Sequence, residues 1–293
     1  MLRSTHILLF VSIWINSLQA HETFLRPDKH KIEPGEALGM TVVTGTFDRS
    51  VFPQPITTVD KLKYHSANGT YDVDYSDWNS TNSTSKIWRF KERVASKLGG
   101  TDLRDTSSFS FTPQNAGTLI VGIDFKQERI AQDYEAFNKY ITTEAHSDLS
   151  AEVLGFKEPS DIIVEGYTKI AKTIIQVGDE YTENVTQPIG QRIEIVPLMH
   201  PSRTKKGDTL KLQALHLGIP LQNQSILVSR KPGALKKSMD LITVYKTNDA
   251  GIIEFPVTDS GIWWANTIFL EPTSENQDLN VLSLWGSLTF EIN

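Results

Sequence analysis

No cysteine occurs anywhere in the 293 residues. That absence excludes disulfide scaffolds, thiolate zinc sites, iron–sulfur clusters and cysteine nucleophiles. A basic block is missing too. There are 29 Lys and Arg against 35 Asp and Glu, a formal charge of −6, which argues against nucleic acid as the main partner. HExxH, GxSxG, GxxxxGK(S/T) and GxGxxG are all absent, and the commonest hydrolase and nucleotide-binding signatures go with them. No spacing singles out two of the acids, so a glycosidase reading has no support. After the first twenty residues no apolar run approaches the ~20 residues a helix needs to cross a bilayer. An integral membrane protein is therefore not expected. What is present is 39% apolar and 22% charged residue, enough to build real cores, at a length that predicts two domains.

Arg3 is the only formal charge in the first twenty residues, and the apolar run Ile7 to Ile15 follows it. Asn16-Ser17-Leu18-Gln19-Ala20 closes the segment. This layout predicts a cleaved secretory signal over residues 1–20, and so a periplasmic or secreted protein. Cleavage after Ala20 leaves His21 with a free α-amine, whose ordinary pKa is near ~8. Amine and imidazole of one residue then chelate a single ion, and nitrogen donors suit nickel, cobalt, copper or zinc.

Further along, Pro34-Gly35 is a turn signal and Leu38 to Thr44 is rich in β-formers. Strands are predicted at Lys86–Arg93, Ser108–Thr112 and Leu119–Phe125, the last two joined as a hairpin through Pro113 to Gly117. Asn79 to Ser85 reads as a polar loop. Ile130, Tyr134, Phe137 and Ile141 form the stripe of one amphipathic helix, and Leu149 to Leu154 adds a turn. Asp161 to Val177 carries so many β-branched residues that it predicts a long strand. From Ile193 onward short alternating strands recur with Gly, Asn and Asp turns between them. HKIEPGEALG (30–39) is faintly echoed by HPSRTKKGDTLKL (200–212), as two related sandwiches would require. The expected fold is mainly β: two β-sandwich domains of immunoglobulin-like or transthyretin-like topology, with one or two short helices in the first. A boundary near 178–190 gives domains 21–185 and 186–293.

Candidate ligands are few. His65 precedes a turn, His200 sits in a loop before Pro201, and His146 lies in Glu144-Ala145-His146-Ser147-Asp148. His216 shares a strand face with Leu210, Leu212 and Ala214, so an interior, satisfied histidine is expected there. His30 reaches His21 only if the chain turns at Pro27-Asp28. Sequons at Asn68, Asn79, Asn82, Asn184 and Asn223 mark polar surface loops.

Several stretches, taken in order, carry a family likeness. They are His21-Glu22-Thr23-Phe24-Leu25-Arg26-Pro27, Pro34-Gly35-Glu36, Phe137-Asn138-Lys139-Tyr140 and the strand Tyr167 to Lys172. Gly190 to Pro197, Gly218-Ile219-Pro220-Leu221, Thr247 to Gly251 and Trp285 to Glu291 complete the series. In this order the chain resembles a bacterial family of periplasmic proteins classed as a domain of unknown function. Some of its members are described with nickel and cobalt uptake systems. The resemblance implies that a mature N-terminal histidine is part of a shared pattern, and that metal-uptake membrane transporter components are the partners. It also exposes a departure: where many members carry a histidine after a Gly-x-Trp strand, this chain has Ile268-Phe269-Leu270.

The leading expectation is a non-catalytic accessory protein that binds a transition-metal ion through His21. Help would come from His65, His146 or His200, with Glu22 tuning the site from behind. The alternative is a structural or interaction module that binds a partner protein or surface glycan. A third reading, a copper oxidase, requires a second histidine beside His21.

Overall fold

The computed structural model describes residues 22–81, 106–143, 145, 147–148, 155–156, 158, 160–231, 241–273 and 278–293. The expected leader, His21, His146, Asn82, the Lys86–Arg93 strand and the Leu149–Leu154 turn lie outside them.

The described chain is mainly β and sandwich-built, as the strand pattern predicts. Sheet one has the order β1 (Glu22–Pro27), β3 (Leu38–Thr46), β8 (Thr106–Phe111), β7 (Asn79–Thr81), with β4 (Arg49–Ser50) beside β3. Sheet two has the order β16 (Thr243–Lys246), β15 (Ser225–Arg230), β18 (Gly261–Pro272), β19 (Val281–Ile292), β11 (Ile162–Val177), β9 (Gly117–Phe125), β5 (Val59–Ser66), β6 (Gly69–Asp72). On it, β10 (Glu128–Asp133) and β2 (Lys31–Ile32) add to β11. Sheet three joins β12 (Ile193–Pro197), β13 (Thr209–His216) and β14 (Ile219–Pro220), with β17 (Ile252–Pro256) on β13. One α-helix, α1 (Tyr134–Thr143), stands among the described residues. It is too short to cross a membrane.

Successive side chains of a strand point to opposite faces, and β11 buries both. Ala171, Ile175 and Val177 enter a core with Leu25, Met40 and Val42 of sheet one. Ile174 enters another core with Leu210, Leu212 and Phe255 of sheet three and with Leu288 and Phe290. Each half of the chain thus owns a core, yet one sheet runs through both. β11 pairs in parallel with β19 from Glu165↔Val281 to Thr173↔Thr289. Parallel neighbours need a long crossover, and here the C-terminal half supplies it.

Lys172 and Glu194 fasten the layers where the halves meet. Their charged groups are 2.7 Å apart, each side chain 2% exposed. The Glu194 carboxylate also accepts from the backbone N–H groups of Ile189, Gly190 and Gln191 at 2.7, 3.1 and 3.3 Å. Burial pushes the Lys172 ammonium pKa down, against the support of Glu194.

Four local expectations need correction. Ile130 is a strand residue opposite Glu165, because the helix begins only after Asp133, whose side chain accepts from the Ala136 N–H at 2.8 Å. β8 and β9 form no hairpin: β8 pairs with β3 while β9 pairs with β11 and β5, so the Pro113–Gly117 link passes between sheets. Asn79–Thr81 is a strand on β8, where Ser80 and Ser107 hydroxyls meet at 2.9 Å, rather than loop. His216 ends its strand half-exposed, its ring 4.4 Å from that of Phe269, so it is not an interior residue.

Candidate functional site at the start of β1

β1 lies across β11 and β19, and its first described residue enters a narrow crevice. Glu22, Thr23, Asn266, Thr267, Trp285, Gly286 and Ser287 line it. The Ser287 hydroxyl donates to the Thr23 carbonyl at 2.6 Å, which anchors the strand. Asn266 Nδ2 donates to Glu22 Oε1 at 3.3 Å. Asn266 Oδ1 and Thr23 Oγ1 are buried without a partner, their residues 2% and 3% exposed. Native chains rarely leave such groups unpaired. Burial pushes the Glu22 carboxyl pKa up, opposed by a backbone hydrogen bond, Asn266 and the charge of Lys169.

Lys169 is 3% exposed. Its ammonium lies 5.0 Å from the Phe52 ring centre and 5.4 Å from that of Tyr167, a cation–π setting. Burial lowers its pKa to about 8, against the charges of Glu128 and Glu22. The Tyr167 hydroxyl donates to Glu128 at 2.7 Å.

Behind the crevice, Trp285 stacks on Tyr140 with ring centres 5.4 Å apart. The Tyr140 hydroxyl and Gln132 amide donate to Glu165 at 3.2 and 2.9 Å, and the Ser283 hydroxyl donates to the same carboxylate. Burial raises the Glu165 pKa in spite of these donors. This network holds Trp285 in one orientation.

The other expected ligands sit elsewhere. His65 faces Thr70 across the β5–β6 hairpin, its Nδ1 2.8 Å from the Thr70 hydroxyl. Burial lowers its pKa first, with Lys172 and Lys63 adding and Glu194 opposing. His200 is 5% exposed, and its Nε2 lies 2.8 Å from Thr118 Oγ1. The Thr118 proton goes to Gln176 Oε1 at 3.0 Å, so His200 Nε2–H is the donor and its buried Nδ1 is a bare, unpartnered acceptor. His30 Nδ1 donates to the Ile174 carbonyl at 2.9 Å, and its Nε2 is likewise unpartnered. Burial holds both His30 and His200 down to a pKa of about 4.

Among the described residues no histidine lines the crevice, and no three His, Cys, Asp or Glu side chains gather to hold a metal. Ile268 pairs with Trp285 in register and so adjoins this crevice. Two sequons have their amides engaged: Asn184 Nδ2 donates to the Thr118 carbonyl and Asn223 Nδ2 to Asp148. Sequence reasoning passed over Lys169, Asn266 and Glu165. A signal existed: charges inside a strand apolar on both faces must be buried with it.

Residues 18–270 match the family described as a domain of unknown function, DUF4198. The chain belongs to that family. No curated protein matches it significantly. Among solved structures, the D0–D1 domain of intimin is 12% identical over 91% of this chain and 96% of that one, at a TM-score of 0.20. A DUF4785 family protein from Legionella pneumophila is 9% identical over 82% and 50%, at 0.22. The fibronectin(III)-like modules of Clostridium thermocellum CbhA are 7% identical over 92% and 94%, at 0.19. The fold assignment stands on the three sheets themselves.

Proposed function

We propose that this DUF4198 chain is a periplasmic or secreted accessory binding protein, without catalytic activity, that holds a transition-metal ion at its mature N-terminus for uptake or delivery. Nickel, cobalt, copper and zinc all suit two nitrogens from His21. The observation that carries the reading is the unpaired Asn266 Oδ1 in the crevice where β1 begins. Residue 21 is one peptide unit, 3.8 Å between Cα atoms, from Glu22. The described residues alone make no metal site: the crevice offers the oxygens of Glu22, Thr23, Asn266, Thr267 and Ser287. His21 therefore carries the binding. Membrane transporter components of a nickel or cobalt system are the partners that the family resemblance suggests.

The test compares mature protein that starts at His21 with protein that carries an extra Met ahead of it, by titration calorimetry with Ni(II) and Cu(II). One ion per chain is expected for the first and loss of binding for the second. Equal binding by both, or none by either, refutes the reading.

A second reading, an interaction module for a partner protein or glycan, is favoured by one feature. Leu217 and Gly218 form a two-residue hairpin turn with φ of 51° and 79°, and Leu217 and Ile219 at this tip are 65% and 68% exposed. Such turns prefer Asn-Gly. An exposed leucine there is held against its own backbone preference.

A further inference from the structure

We infer that Thr118 and Gln176 become joined by a self-formed ester cross-link, with His200 as the base that makes it. The three residues sit at the joint between the halves, away from the crevice, and the inference does not depend on the proposed metal. Thr118 of β9 and Gln176 of β11 stand directly opposite each other in antiparallel register, where side chains of adjacent strands meet. The Thr118 hydroxyl oxygen lies 3.0 Å from Gln176 Oε1 and 2.8 Å from His200 Nε2. A hydroxyl within hydrogen-bond reach of an imidazole, with a carbonyl group beside it, is the arrangement that nucleophilic acyl transfer requires. Thr118, Gln176 and His200 are 0%, 2% and 5% exposed.

Two further features suit this trio to react. Gln176 Nε2 donates to the carbonyls of Val177, Gly178 and Glu180 at 3.4, 3.2 and 2.7 Å, which fixes the amide with its oxygen towards Thr118. His200 Nδ1 has no partner, so no hydrogen bond dictates which ring nitrogen carries the proton. With the proton on Nδ1, Nε2 takes the Thr118 proton instead of donating to its oxygen. Oγ1 then attacks Gln176 Cδ: the Oγ1–Cδ bond forms and the Cδ–Nε2 bond breaks. The proton passes from Thr118 through His200 to the departing nitrogen, which leaves as ammonia, and no other reactant is consumed. Burial then keeps water from the ester. The product closes the chain between residues 118 and 176 into a loop. It restricts the unfolded state as a disulfide would, in a chain that has no cysteine to make one.

Peptide mapping by tandem mass spectrometry, on the full chain folded and incubated at neutral pH, tests this. The expected product is a branched peptide joining Thr118 to Gln176, lighter than its two linear parts together by one ammonia. Hydroxylamine added after denaturation should split it, freeing the Thr118 peptide and leaving a hydroxamate at Gln176. Thr118→Val and Gln176→Met should lose the branched peptide, and Thr118→Ser, which keeps the hydroxyl, should retain it. His200→Gln, checked as folded by circular dichroism, should slow its formation by about a hundredfold or more. A parent chain that yields only the linear peptides after prolonged incubation overturns the inference. So does a branched peptide that forms as fast in His200→Gln as in the parent.

Discussion

Lys169 and Lys172 stand three residues apart on β11, both nearly inaccessible, on opposite faces of one sheet. Lys172 meets Glu194 at 2.7 Å, and three backbone donors complete the carboxylate. Lys169 has aromatic faces and two acids beyond ion-pair reach. Equal burial with unequal satisfaction separates a fastening from a site. The first charge is consumed by architecture, and the second rests against the faces of two aromatic rings.

The largest expected effect breaks this contrast directly. Lys172→Met leaves Glu194 buried and unpaired, so it should cost about 3–5 kcal/mol in urea unfolding. Lys169→Met removes an unpaired charge and should cost less than about 1 kcal/mol, or stabilise. Equal losses at the two positions would show that burial alone sets the energetics.

Next in size is the acid response of the joint between the halves, where His30 touches the Ile174 carbonyl and His200 touches Thr118. Both are held neutral, with folded pKa about 4 against an unfolded value near ~6.5. Between those values the unfolded chain binds more protons, so stability is full above about pH 6.5 and declines as pH falls towards 4. The double variant His30→Asn with His200→Gln should flatten that decline in thermal melts recorded from pH 7 to 4. A decline of unchanged steepness would assign it to other groups.

Smaller still, Leu217→Asn gives the hairpin turn the residue its φ prefers and should stabilise by about 0.5–1 kcal/mol. A loss of stability would mean that the leucine packs against something in solution. The smallest effect belongs to His65→Ala, on a half-exposed hairpin pair, at under about 0.5 kcal/mol by thermal melt. Its metal affinity should equal that of the parent, because His65 is occupied by Thr70 and not aimed at the crevice.

Much of the fold was legible because it follows from local pattern. The β-branched run before Val177 marked the longest strand, and the alternation Leu210, Leu212, Ala214 marked a face that is indeed buried. Pairing was less legible. Nothing local tells β8 and β9 to part into different sheets, and the apolar Ile130 fits a helix stripe until Asp133 caps the helix behind it. Of the residues that line the crevice, the sequence singled out Glu22 as a candidate and gave no such signal at Asn266 and Trp285. Those two reach the crevice through sheet register across hundreds of residues. Lys169 could have been suspected, since a lysine inside a doubly buried strand needs a reason.

The most direct test is native mass spectrometry of the protein produced from its full sequence in an exporting bacterial host and exposed to Ni(II) or Cu(II). A polypeptide mass beginning at His21, carrying one retained ion that disappears when a residue is added ahead of it, is the predicted result. A chain that begins elsewhere, or one that begins at His21 and retains no ion, would contradict it.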